Sequence, residues 1–432
     1  MEQTIAVFGL GFVGLPLALV YASKGHPVIG VDIDELHVAK LKMGQTPLCE
    51  PWDGKTIQEG LIHALQKGLF EPTCHAEEAI RRSTEVIVTV GIPVRSDGTL
   101  DYTSLDSVAA FLGKHLRTGM TILLRSTVPP HTTRNRFKPL LEEYSHLSAG
   151  KDFFLGYASE RMAEGKAYEE LTSMPTPVAG INEVSLEHCT ELLSKICSQV
   201  IQAQNLEAVE MSKVVENLSR DINVAMVNEF ANYAYSIGVD IAEVLSIANT
   251  HQRVKLLSPG PGVGGYCIPN AYYYLAGTER PCADLPVSST SRHLNDQRPS
   301  TILAVAEEEL KKLKKDLPSA QFALYGLGMK DFSNDLRLSP SLEFIRLLRE
   351  RKYLCRFFDP LTEYPEPGMC HNLEELLEGA DCLIILNRHH DEKILQLDKI
   401  KKLMNNRPLI VDTRSWIDAE KAKKKGFYLC RC

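Results

Sequence analysis

The chain has no excess of positive charge. Its 48 Lys and Arg residues are set against 55 Asp and Glu, for a formal net charge of −7, so nothing points to a nucleic-acid partner. It has no run of about 18 uninterrupted apolar residues, the length a membrane-spanning helix requires. The nearest approach, Ile5 to Tyr21, is broken by Gly9, Gly11, Gly14 and Pro16 and lacks a basic segment before it. A buried strand followed by a helix explains it better than a secretory leader or a span. The eleven cysteines are irregularly spaced, which excludes a disulfide framework and leads us to expect reduced thiols in a cytoplasmic protein. Cys430 and Cys432 have no second pair nearby to complete a metal site, and read as a frayed terminus. What remains is ordinary for a globular protein: 44% hydrophobic and 24% charged residues in 432, enough for two or three domains.

Strand and helix patterns alternate in the first part. Thr4–Gly9, Pro27–Val31, Val86–Val90, Thr121–Arg125 and Phe153–Tyr157 read as buried strands. Leu15–Lys24, Leu36–Met43, Ile57–Lys67, Leu105–His115 and Arg134–Tyr144 read as the helices between them. That order predicts a parallel, doubly wound sheet. From Leu206 to Ile237 there is no proline or glycine, and the apolar residues recur at helical spacing. Glu210, Lys213, Asn217 and Arg220 form a polar stripe along this helix, either a solvated face or a functional one. Ile241–Ala248 and Ser300–Leu313 add further helix, and the lysine-rich run Lys311–Lys315 reads as a solvated end and linker. Alternation then resumes with strands Phe322–Tyr325, Leu354–Phe358, Cys382–Leu386 and Leu409–Asp412 and helices Ser341–Glu350, Leu373–Glu378 and Ile394–Met404. The expected fold is α/β: two Rossmann-like doubly wound domains, residues 1–203 and 317–432, joined by a helical middle domain, residues 204–316, with one long helix.

Two motifs carry chemistry. Gly9-x-Gly11-x-x-Gly14 follows the first strand and opens a helix. The first glycine permits the tight turn, the second lets a pyrophosphate approach the backbone, and the third lets helix meet strand. Phe12 and Val13 lie within this turn. Asp32, at the end of the second strand, is placed to bond ribose hydroxyls and to repel a 2′-phosphate, so the cofactor is expected to be NAD rather than NADP. The second motif is Pro259–Pro269, with four glycines and three prolines in eleven residues and Cys267 near its end. Such a loop is tightly shaped. Its cysteine is either a packed residue or a thiol presented to substrate. A presented thiol beside a nicotinamide site suggests oxidation through a thiohemiacetal and a thioester.

These motifs, with Thr89–Pro93, Ser126–Pro130, Ser159–Ala167, Lys213–Asn228, Gly326–Pro340 and Val411–Arg414 in order, cover nearly the whole chain. In this the sequence resembles the UDP-glucose/GDP-mannose dehydrogenase family, nearest its UDP-N-acetyl-hexosamine branch. The resemblance implies NAD-dependent oxidation of a sugar-nucleotide C6 hydroxyl to the uronic acid, a nucleotide sugar (a UDP-sugar foremost) as ligand, and a homodimer or higher homo-oligomer. It implies Cys267 as nucleophile, Lys213 and Asn217 beside the reacting carbon, Thr127 holding water near the cofactor, and Glu160 as the base for thioester hydrolysis. It also implies substrate contacts from Glu164, Gly264, Gly265 and Lys330, from Arg253 toward a neighbouring subunit, and a cofactor contact from Arg337. No metal is implied.

The chain departs from the family at three places. Asn270 and Ala271, followed by Tyr272-Tyr273-Tyr274, stand where the family has a lysine or small residue and then an aspartate that positions the lysine and water. Tyr266 stands where the N-acetyl branch often has histidine, and Ile92 where a threonine is common. Ala271 leaves open a slow or aldehyde-releasing enzyme, or a sugar-nucleotide-binding paralogue with little catalysis. A relative that removes a single hydride from a hydroxy acid has no need for Cys267.

Overall fold

Short apolar runs buried on both faces make the strands, as parallel sheets require. The computed structural model describes residues 4–48, 50–163, 165–277, 284–390 and 395–432. The chain divides into two units, Met1–Glu216 with Tyr273–Pro281, and Asn217–Tyr272 with Cys282–Cys432.

In the first unit, strands β1 (Ile5–Phe8), β2 (Val28–Val31), β5 (Phe70–Thr73), β6 (Glu85–Val88), β7 (Thr121–Leu124), β8 (Phe154–Ala158), β9 (Thr176–Gly180) and β10 (Val200–Gln202) form one sheet. Its order is β10-β9-β8-β7-β6-β1-β2-β5. Two short strands, β3 (Pro51–Trp52) and β4 (Lys55–Thr56), pair as a separate antiparallel ribbon. The sheet is not wholly parallel, as the strand–helix alternation predicts, because β9 runs antiparallel to β8. The helix between them, Ala167–Ser173, has 7 residues. At about 1.5 Å per residue it spans roughly 10 Å, less than a five-residue strand of about 16 Å, so it does not return the chain to the far end of the sheet. The expected helix Arg134–Tyr144 opens instead with a π-helical turn, Thr133–Phe137, before Lys138–Ser145.

The second unit holds a five-stranded parallel sheet in the order β12-β11-β13-β14-β15. Its strands are β11 (Gln321–Tyr325), β12 (Leu354–Phe358), β13 (Cys382–Ile385), β14 (Leu409–Asp412) and β15 (Tyr428–Cys430). Cys430 and Cys432 are not a frayed end. β15 pairs with β14 and both thiols sit in the core beside Phe322, Leu324 and Val411. The expected helix Ser300–Leu313 begins much earlier, at Pro286, and runs through Pro299 to Lys312. An internal proline costs about 3 kcal/mol, but both flanks are anchored. Arg292 and Asn295 bond to Asp221, Arg298 bonds to Gly260 O, and Ile302, Leu303, Ala306 and Leu310 are core residues.

A single helix, Leu206–Ser236, runs for 31 residues. Its polar stripe is no solvated face: Glu210, Lys213 and Asn217 are buried, and Arg220 alone of the four is exposed. The fold is thus two Rossmann-like sheets with a helical middle region built on a long helix. Among the described residues no helix is long and apolar enough to cross a membrane.

Candidate active site

The glycine turn of the first unit is shaped for a dinucleotide. β1 pairs with β2 on one side and β6 on the other, so the turn after β1 lies at the switch point where such sheets bind ligands. Gly9 has φ +93°, a conformation glycine adopts freely. A Cβ on Gly11 would meet no described atom within 4 Å, which leaves that backbone open to an incoming phosphate, whereas a Cβ on Gly14 would lie 1.7 Å from Gly9 O. Thr89 Oγ1 closes the turn by donating to Gly9 O at 2.8 Å. The helix Gly14–Ser23 begins at Val13 with no side-chain cap among the described residues and no acid in its first turn. Leu15 N and Leu17 N donate to Gly11 O and Val13 O and Pro16 has no N–H, so it is the Gly14 N–H and the helix dipole that favour an anion. Phe12 is exposed at the same turn.

Asp32 Oδ2 accepts from Leu10 N at 2.7 Å, and Oδ1 from Asp34 N at 3.0 Å. Each oxygen keeps a lone pair for a ribose hydroxyl. Asp32→Asn retains an acceptor for Leu10 N but removes the charge. Two like charges near 4 Å cost about 4 kcal/mol at an effective dielectric of 20. The NADP-to-NAD ratio of kcat/KM is therefore expected to rise at least about tenfold, measured with both cofactors at one substrate concentration.

β7 runs directly into Arg125-Ser126-Thr127. Arg125, fully buried, donates Nε–H to Glu160 Oε2 at 2.7 Å. Glu160 Oε1 accepts from Arg161 N at 2.7 Å and Met162 N at 2.8 Å. One lone-pair direction on Oε2 is left for water. Thr127 is half-buried. Lys213 is buried, and among the described residues its ammonium has no ion-pair partner. Glu164 lies outside the described residues.

In the second unit Cys267 is exposed, and it is the first residue of a helix, Cys267–Ala276, rather than the end of a loop. The glycine-proline segment before it is held on both sides. Gly260 N donates to Asn228 Oδ1 at 2.9 Å, and Gly265 N to Arg337 O at 2.8 Å. Glycine is required where the segment meets the stretch after β11. A Cβ on Gly264 would stand 2.7 Å from Leu338 O, and one on Gly265, whose φ is +77°, 2.4 Å from Met329 Sδ. Asn217 Nδ2 donates to Cys267 O at 3.1 Å, so the long helix holds the residue that carries the thiol. Arg337 is paired with Asp335 at 2.5 Å and lies 5.1 Å from the centre of the Tyr266 ring. Lys330 is half-buried in the same stretch, and Arg253 is exposed after the helix Ile241–Ala248. Ala271, wholly buried, sits one turn beyond Cys267 on the same helix.

The second sheet repeats the turn of the first in a different key, which the sequence reading missed. Gly326-Leu327-Gly328 repeats Gly9-Leu10-Gly11, Gly326 also has φ +93°, and Asp359 Oδ2 accepts from Leu327 N at 2.6 Å. Here the acid is buried and faces His389 Nε2 at 3.4 Å. Burial alone would raise the Asp359 carboxyl. His389 and the backbone donors outweigh it and hold the group below its ordinary value. The buttressing residues Arg125 and Glu210 were also missed as such. Arg125 precedes the quoted Ser126-Thr127 motif, and Glu210 stands in the quoted stripe.

Three family models match the chain in order. The NAD binding domain of the UDP-glucose/GDP-mannose dehydrogenase family matches residues 3–201, its central domain 207–297 and its UDP binding domain 323–419. A UDP-N-acetyl-D-mannosamine dehydrogenase of Pyrococcus horikoshii is 32% identical, with 96% of each chain covered. The solved structure of the UDP-D-ManNAc dehydrogenase from Pyrococcus horikoshii has a TM-score of 0.90 at 31% identity, covering 96% of each chain. An NDP-N-acetyl-D-galactosaminuronic acid dehydrogenase from Methanosarcina mazei has a TM-score of 0.83 at 28% identity, covering 99% of this chain and 94% of that one.

Proposed function

The chain belongs to the UDP-glucose/GDP-mannose dehydrogenase family and is an NAD-dependent nucleotide-sugar dehydrogenase; from that premise we propose that it oxidises the C6 hydroxyl of a UDP-N-acetyl-hexosamine to the uronic acid. Relatives named UDP-N-acetyl-D-mannosamine dehydrogenase make that sugar the first candidate, with UDP-glucose next. The observation that carries the reading is an exposed cysteine that opens the helix after the glycine-proline segment, its backbone carbonyl held by Asn217.

In this reading residues 1–203 hold NAD, 204–316 form the central and pairing region, and 317–432 hold the nucleotide sugar. Bound NAD supplies the two-electron acceptor for each oxidation. The turn Gly9–Gly14 and Asp32 hold it. At the aldehyde level, the Cys267 sulfur adds to C6. A C–S bond forms, and the carbonyl oxygen becomes an oxyanion that a cation at Lys213 and an amide at Asn217 stabilise. The adduct still carries hydrogen on C6, so the second oxidation leaves a thioester. Thr127 holds a water and Glu160 Oε2 accepts its proton. The water oxygen bonds C6, the C–S bond breaks, and the sulfur leaves with the electron pair. Gly264, Gly265, Lys330 and Glu164 serve the sugar nucleotide, Arg337 the cofactor side, and Arg253 a neighbouring subunit.

A homodimer or higher homo-oligomer is part of the reading. The long helix leaves Met226, Phe230 and Tyr233 exposed, with Ile237 exposed just past its end, an apolar stripe at helical spacing that the described residues do not cover.

The test is NADH formation with UDP-N-acetyl-hexosamines, UDP-glucose and GDP-mannose, with products identified by mass and the oligomer read by light scattering on the same preparation. Two NADH per sugar with a uronic acid are expected. One NADH with a free aldehyde favours the aldehyde-releasing alternative that Ala271 raises. A monomer at working concentration removes the role given to Arg253.

A further inference from the structure

The first turns of the long helix grip the turn that follows Thr127. Glu210 is completely buried. Its Oε1 accepts from Thr133 N at 2.8 Å and Thr133 Oγ1 at 2.6 Å, and its Oε2 from His131 N at 2.6 Å. Glu207, three residues earlier, pairs with Arg134 at 2.6 Å and faces the His131 ring at 3.6 Å.

The gripped backbone is unusual in two ways. His131 has φ +73°, left-handed for a residue with a side chain, and the π-helical turn Thr133–Phe137 starts two residues on. Such conformations persist where their surroundings impose them. Here a single carboxylate collects the amide of the left-handed residue and the amide and hydroxyl that start the π turn. Lys213 stands three residues along the same helix, on the same stripe.

We infer that Glu210 is a positioning residue for the oxidation, fixing the loop that carries Thr127 and setting it in place relative to Lys213. The inference rests on the roles proposed above for Thr127 and Lys213. A carboxylate suits the task because both oxygens are needed as acceptors. Glutamine offers one acceptor oxygen and turns an amide N–H toward a donor. Burial pushes the Glu210 carboxyl up to about 7 against the pull of its three donors, so assays belong at about pH 8, where the anion prevails.

The experiment uses the full chain, the best UDP-sugar of the panel, calorimetric Kd for NAD, and Tm. Glu210→Gln is expected to lower kcat about a hundredfold, the size of effect a misplacement of about 1 Å produces, with an unchanged Kd for NAD. His131→Gly, which relieves the left-handed strain, is expected to restore part of that kcat in the Glu210→Gln background. Should Glu210→Gln not fold, Thr133→Val removes one of the three bonds with little change of shape and is expected to lower kcat severalfold, again at constant Kd for NAD. If Thr127→Ala and Lys213→Met keep the parent kcat, the reading of the site falls and this inference with it. If those variants are impaired while Glu210→Gln, or Thr133→Val in its place, keeps the parent kcat, positioning is overturned and the site reading stands. The same follows if His131→Gly restores only Tm.

Discussion

Cys267→Ser is expected to abolish uronic acid formation, by at least about a thousandfold, or about 4 kcal/mol of barrier. Cys267 is an exposed residue whose backbone carbonyl is held by Asn217. Serine keeps that backbone bond, fits the same space and leaves the fold intact. What changes is the nucleophile. A serine hydroxyl, far less ionised than a thiol, adds weakly to an aldehyde, and the ester it would give resists hydrolysis more than a thioester does. Single-turnover mixing with acid quench and mass detection should therefore find one NADH per sugar with the product at the aldehyde level, or two NADH with the acyl group held as a slow ester on the protein. Acid released at the parent rate with two NADH would exclude the covalent route and leave direct hydration of the aldehyde.

Much of the fold is legible because its signals are local. Gly9, Gly11 and Gly14 follow β1 at once, and Asp32 ends β2, so strand, turn, helix and acid can be read from one short stretch. The long helix is legible because no glycine or proline interrupts Leu206–Ser236. The failures share a physical cause, which is that tertiary contacts outweigh local preference. Pro299 punctuates the sequence, but buried Arg292, Asn295 and Arg298 on one side and core residues on the other carry the helix through it. Cys430 and Cys432 look like a terminal tail until β14 offers an unpaired edge. Of the candidate site, motif and resemblance name the residues proposed above to react. They do not name the groups that hold those residues. Glu210 reaches back 77 residues to Thr133, and Arg125 reaches forward 35 to Glu160. No periodicity links positions that far apart. The polar stripe was the nearest signal: once Glu210 and Asn217 are seen to be buried, each is expected to be bonding to something, as each is.

Ala271→Asp is expected to raise the rate of acid formation about tenfold or more. Ala271 is wholly buried on the helix that Cys267 begins, one turn along the same face. In the family pattern an aspartate there orients the lysine and a water. Here Lys213 is buried and, among the described residues, has no ion-pair partner. A buried cation without a counter-charge is costly and poorly oriented, and a preorganised donor for the oxyanion is worth about 3 kcal/mol in comparable sites. In the proposed reading Ala271→Asp restores the acid of the family pattern, so the second oxidation and hydrolysis should gain more than the first step. Ala271→Asn separates charge from shape: it occupies nearly the same volume without the full negative charge and is expected to give little of the gain. The readout is the ratio of acid to aldehyde under single-turnover conditions, with Tm followed to correct for strain at a filled core position. Equal behaviour of the aspartate and asparagine variants would mean that Lys213 is oriented by other groups. In that case Ala271 is a neutral replacement, and the reading of this chain as an impaired enzyme loses its motive.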